Sequence, residues 1–212
     1  MNVFSKILIT VFIFLVSFVD FKQVSGKCIK IDFSFKNFFK ISTFLHFSLI
    51  ILATVYLRNV FGQYNILYLI NLICFMCLYF CSFSDICCRY IFDFVIIFSI
   101  ILLSYLNFVG LYFEISIYGA VSGTFLYGCI YLLGRFLYGK EVFGLGDIYV
   151  LAVVGFCTDW HTVITVGLFS FIIALVFYFC KFLVIRNFEK IKKEEIPFVP
   201  FILVSYLITM YF

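Results

Sequence analysis

The 212-residue chain is 66% hydrophobic and only 12% charged, about half the charge of an average soluble domain. Long apolar runs at this charge density exclude a soluble core and predict an all-α, polytopic integral membrane protein with about 6–8 transmembrane helices. The net charge of +4 comes with no basic face carrying interleaved polar contacts, which argues against a nucleic-acid partner.

Residues 1–19 begin with Lys6 and continue as the apolar run Ile7–Val19. The small residues Val24-Ser25-Gly26 would suit a cleaved signal, and the run alone would suit a first membrane helix. Residues 20–42 hold Lys22, Lys27, Lys30, Lys36 and Lys40 among Phe33, Phe35, Phe38 and Phe39. That mixture suits a segment lying on an anionic lipid surface. Residues 1–42 therefore read as an N-terminal apolar helix and interfacial segment, and residues 43–212 as a membrane-embedded domain.

Seven apolar segments follow, near 43–60, 64–83, 90–109, 113–137, 147–157, 161–183 and 196–212. The 147–157 segment is short for a span of about 20 residues. Segment 113–137 carries Gly119, Gly123, Gly128 and Gly134. Its Gly119-x-x-x-Gly123 spacing lets a neighbouring helix approach closely. If all eight segments cross, thirteen basic residues fall on one side: Lys22, Lys27, Lys30, Lys36, Lys40, Arg89, Arg135, Lys140, Lys181, Arg186, Lys190, Lys192 and Lys193. Only Lys6 and Arg58 fall on the other. The excess places that side in the cytoplasm, together with Asp85 and Asp147. A cleaved signal would invert the arrangement, so residues 1–19 read as an uncleaved first helix.

The nine cysteines are Cys28, Cys74, Cys77, Cys81, Cys87, Cys88, Cys129, Cys157 and Cys180. An odd number scattered through apolar runs is no disulfide framework. Cys74-x-x-Cys77 lacks the second ligand pair that zinc needs. Cys74, Cys77 and Cys81 share a helical face and read as a packing stripe, so no metal site is expected.

Ionisable groups inside apolar segments point to function, because burying them is costly. Asp147 follows Gly144-Leu145-Gly146 at the mouth of an apolar run. Amide groups at a helix start favour an anion there, and burial disfavours one. Asp85, Arg89 and Asp93 are spaced four apart and would line one face of a continuous helix, with Arg89 neutralising Asp93. Asp85 stands at a segment end on the same side as Asp147. Two carboxylates sharing a site suit peptide hydrolysis, one taking a proton from water and the other donating one. Which aspartate plays which part stays open.

Three stretches taken together resemble the prepilin peptidases, integral-membrane aspartic proteases of the Gly-x-Gly-Asp type. They are Asp85-x-x-x-Arg89-x-Ile91-x-Asp93, then Gly144-x-Gly146-Asp147 followed by Leu151 and Gly155, and then Ile196-Pro197-Phe198-Val199-Pro200-Phe201. The resemblance covers about residues 64–212 and maps the catalytic pair to Asp85 and Asp147. Gly144, Gly146, Arg89 and Asp93 fall in supporting positions, and Pro197 and Pro200 in the third motif. Phe92 replaces a usual proline, Tyr149 a common lysine and Val199 a common glycine.

The implied substrate is a type IV prepilin or pseudopilin-like precursor, cut after the Gly that ends a short basic leader. Cleavage would fall at the cytoplasmic face of the inner membrane. No metal or nucleotide cofactor is implied. The methyltransferase insert of bifunctional members has no place here, which leaves the short, peptidase-only form. Lys140, Glu141, Glu189, Glu194 and Glu195 read as solvated or interfacial charges rather than leader contacts.

Signal-peptide-peptidase-like proteases share Gly-x-Gly-Asp, but their Pro-Ala-Leu motif is replaced by Pro197-Phe-Val-Pro200. A transporter or assembly component would use the same aspartates for ion coupling or packing. The particular substrate, the machinery it serves and the oligomeric state are not written in these motifs.

Overall fold

A computed structural model describes residues 19–24, 28–33, 41–62, 65–139, 144–185 and 197–210. The chain divides into two compact units, Met1–Met76 and Cys77–Phe212. The first holds a hairpin of β1 (Val19–Val24) and β2 (Cys28–Phe33), then α1 (Ile41–Phe61) and the start of α2 (Asn65–Cys88). The strands pair antiparallel, with Val19 opposite Phe33 and Val24 opposite Cys28. The lysine-rich reading of residues 20–42 did not foresee this pairing. Its signal is the period-two alternation in Cys28-Ile-Lys-Ile-Asp-Phe33, which the charge count hides. The expected first helix falls on residues 1–18, outside the described residues.

The second unit continues from the end of α2 through α3 (Asp93–Val109), α4 (Phe113–Tyr138), α5 (Leu145–Cys157), α6 (Trp160–Ile185) and α7 (Val199–Thr209). Every apolar segment from 43 onward is thus a helix. Among the described residues, three helices are long and apolar enough to cross a membrane, at Ile66–Cys88, Phe113–Tyr138 and Trp160–Leu183. The protein is a polytopic, helical membrane protein.

The unit is built around α5, which packs against α3, α4 and α6 and touches α7. Its thirteen residues reach about 20 Å, short of the roughly 30 Å hydrocarbon core. Leu145–Cys157 is apolar nearly all round, and Val150, Leu151, Val153 and Val154 are fully buried, as befits a helix enclosed by others. Close approach to α4 depends on missing side chains. A Cβ on Gly119 would collide with the Gly155 carbonyl, and one on Gly155 would lie 2.6 Å from the Ala120 nitrogen. The first glycine of the predicted Gly-x-x-x-Gly pair therefore sits backbone to backbone against α5. The second, Gly123, leaves room for the Leu151 carbonyl, 3.0 Å from where its Cβ would be.

Two polar side chains inside the unit bond backbone of a neighbouring helix, as a bilayer favours. Asn107 donates from Nδ2 to the Phe156 carbonyl at 2.7 Å, tying α3 to the end of α5. Ser205 on α7 donates to the Val166 carbonyl of α6 at 2.7 Å. The outward faces carry large apolar side chains, including Phe98, Ile101 and Phe108 on α3 and Phe125, Phe136 and Leu137 on α4. In water such a surface would be an aggregation hazard, whereas against lipid it is the matching solvent.

Candidate functional site

Asp85 occupies the last turn of α2 and is buried. The helix stops one turn later, where Arg89 adopts a left-handed φ of 56° and its N–H donates to the Asp85 carbonyl at 3.0 Å. Tyr90, Ile91 and Phe92 then run outside any helix, and α3 begins at Asp93. This break corrects the expectation of one continuous face. Asp85, Arg89 and Asp93 do not form a helical stripe, because the left-handed residue turns the chain between them. The Arg89 charge instead reaches Asp85. Asp93 is exposed in the first turn of α3, where helix amides favour a carboxylate.

Asp147 is the third residue of α5, with Gly144 as N-cap in the extended region at φ −74° and ψ 134°. An acidic residue at this position can reach back to the N-cap amide, as in one half of a capping box. Asp147 does so: its carboxylate interacts with the backbone of Gly144, and its own N–H donates to the Gly144 carbonyl at 3.2 Å. A Cβ at Gly144 would sit 3.0 Å from Asp147 Oδ2. Gly146 turns the other way. A Cβ there would lie 2.6 Å from Ile91 Cδ1 and 3.2 Å from Ile91 Cβ. Ile91 of the first motif therefore seats on the middle glycine of the second. Asp147 is buried and lies within electrostatic reach of Asp85.

The third motif supplies an amide. Val199 is the first residue of α7, and its N–H donates to Asp85 Oδ2 at 3.1 Å in a buried setting. A helix start presents unpaired amides to an anion. Pro200 fits the first turn because no hydrogen bond is asked of its nitrogen there. Pro197 is half-buried just before the helix. Phe198 is buried and packs on Phe171, with ring centroids 4.9 Å apart, and on Tyr127 at 6.1 Å.

Three segments far apart in sequence thus meet around two buried carboxylates. The reading of the sequence missed Tyr127, Ser170 and Phe171. A signal for Tyr127 existed: it lies four residues beyond Gly123 and eight beyond Gly119, on the same buried face of α4. Lys140, Glu141, Glu189, Glu194 and Glu195 lie outside the described residues. Cys77 and Cys81 are buried on α2. Among the described residues, no group of three or more His, Cys, Asp or Glu side chains is placed to hold a metal ion. A buried pair of carboxylates can hold one proton between them, because like charges at close range resist double ionisation.

A family model described as the type IV leader peptidase family matches residues 72–179. The match takes in Asp85, Gly144, Gly146 and Asp147 and ends before α7. No curated protein and no solved structure matches the chain.

Proposed function

The chain belongs to the type IV leader peptidase family, and on that premise we propose that it is a membrane aspartic endopeptidase acting through Asp85 and Asp147. Its substrate is a type IV pilin-like precursor, cut after the Gly that closes a short basic leader, at the cytoplasmic face of the inner membrane. The observation that carries this reading is the convergence on Asp85 and Asp147. The Val199 amide holds one, the Gly144 backbone approaches the other, and Ile91 seats one motif on the other.

The chemistry needs one proton on the pair. The ionised carboxylate takes a proton from water as the water oxygen attacks the scissile carbonyl carbon. The protonated carboxyl donates to the carbonyl oxygen, giving a neutral tetrahedral diol. Collapse of the diol returns that proton, breaks the C–N bond and protonates the leaving amine from the carboxyl formed in the first step. The pair ends as it began, and no cofactor is consumed. Arg89, Asp93, Pro197 and Pro200 support the site without touching the reacting atoms.

The test uses a synthetic precursor with a basic leader ending in Gly and about 20 apolar residues, cleaved by protein in liposomes. Asp85→Asn and Asp147→Asn should each nearly abolish cleavage, and the double variant should be little worse, because residues acting as a unit are non-additive. Asp93→Asn should keep substantial activity. Wild-type activity should follow a bell in pH, since both the fully protonated and the fully ionised pair are inert. With S-adenosylmethionine supplied, the new N-terminus should stay unmethylated. Normal cleavage by either single aspartate variant at matched protein levels sinks the mechanism.

A further inference from the structure

Tyr127 is fully buried on α4 and has no part in the chemistry above. Its hydroxyl lies 2.6 Å from Ser170 Oγ and 3.3 Å from the Gly167 carbonyl oxygen. Ser170 itself donates to that carbonyl at 2.7 Å, which leaves its oxygen free to accept from the tyrosine. The hydroxyl thereby pins the ring to α6. The ring packs edge-on against Phe171, at 5.5 Å between centroids, and against Phe198 at 6.1 Å. The residue after Phe198 is Val199, whose N–H donates to Asp85. Tyr127 also lies within electrostatic reach of Asp147. A side chain needed only for volume would not require this bonded hydroxyl, because phenylalanine would fill the same space.

We propose that Tyr127 is a positioning residue for the aspartate pair, fixing Phe198 and, through it, the Val199 amide on Asp85. The inference rests on the peptidase reading. Productive geometry tolerates little error, and a misplacement of about 1 Å can cost on the order of a hundredfold in rate. A ring locked at both its hydroxyl and its edge is the kind of support such a site requires.

The experiment measures kcat, KM and the pH profile of the full-length protein in liposomes with the same synthetic precursor. Tyr127→Leu should lower kcat about a hundredfold with KM within about twofold of wild type. Tyr127→Phe, which keeps the ring and loses the pin, should lower kcat several-fold. Both should displace the pH optimum, which a change in bulk stability would not do. Combining Tyr127→Leu with Phe198→Leu should be no worse than Tyr127→Leu alone, because both act through one amide. Wild-type kcat in folded Tyr127→Leu, an unshifted pH optimum, or additive losses would each overturn the proposal. Should Tyr127→Leu fail to fold, Tyr127→Phe and Phe198→Leu decide it, and unchanged pH profiles in both overturn it. Asp85→Asn is run alongside. Normal cleavage there defeats the peptidase reading, whereas an inactive Asp85→Asn beside normal Tyr127 variants defeats only the positioning role.

Discussion

At the scale of single residues, the site depends on what is missing at Gly146. A methyl group there would lie 2.6 Å from Ile91 Cδ1, 3.2 Å from its Cβ and 3.3 Å from its Cγ1. The whole isoleucine must move, not only its tip. Gly146→Ala should therefore cost about 1–3 kcal/mol of stability and lower cleavage at least about tenfold. Ile91→Ala in the same chain should recover part of the rate by making room. Melting temperature in detergent and initial rate check both statements, and a wild-type rate for Gly146→Ala would contradict the seating. The departures from the family pattern are also legible at this scale. Phe92 holds φ −83° and ψ 110°, close to the backbone a proline would impose. Val199 contributes its N–H, which any residue except proline can supply.

At the scale of elements, α4 shows how equal-looking glycines differ. Gly119 faces the backbone of α5, where the Gly155 carbonyl leaves no space, whereas a Cβ on Gly128 would meet nothing within 4 Å. Gly119→Ala should destabilise by about 3 kcal/mol, since backbone cannot step aside as a side chain can. Gly128→Ala should be neutral or stabilise by about 0.5–1 kcal/mol through helix propensity. Thermal unfolding of the two variants in the same detergent separates them, and equal melting temperatures would refute the packing argument. The end of α2 shows a second element-level effect. The sequence pattern stops near residue 83, but the helix carries Asp85 a turn deeper to Cys88 before Arg89 breaks it. Apolar periodicity does not register this, because the last turn is mixed in polarity while a single left-handed residue ends the hydrogen-bond ladder.

At the scale of the whole molecule, Asp85 sits at the end of α2, Asp147 at the start of α5 and Val199 at the start of α7. One helix C-terminus and two helix N-termini meet at one place, as the proposed alternation of crossings requires. Under that topology, single cysteines placed at residues 30 and 190 in a cysteine-free background should react only with reagents that enter the cell. One at residue 160, the first residue of α6, should react with an impermeant reagent. Labelling of residue 30 or 190 from outside intact cells would overturn the orientation.

Composition and charge alone determined that this is a helical membrane protein, and the helix positions followed from apolar runs that lipid requires to be long. The two aspartates were also legible, because a carboxylate in an apolar stretch has few reasons to be there. Tyr127 was not, since one tyrosine among 15 Tyr and 33 Phe carries no contrast until its hydroxyl is seen to be bonded. Only the tertiary structure decided that Arg89 ends a helix rather than pairing with Asp93 along one. It also decided that Ile91 seats on Gly146, and that the amide on Asp85 comes from Val199. The physical reason is common to all three. Helix propensity and burial act along the chain within a few residues, whereas close approach and hydrogen bonding across segments exist only once the backbone has placed distant residues in contact.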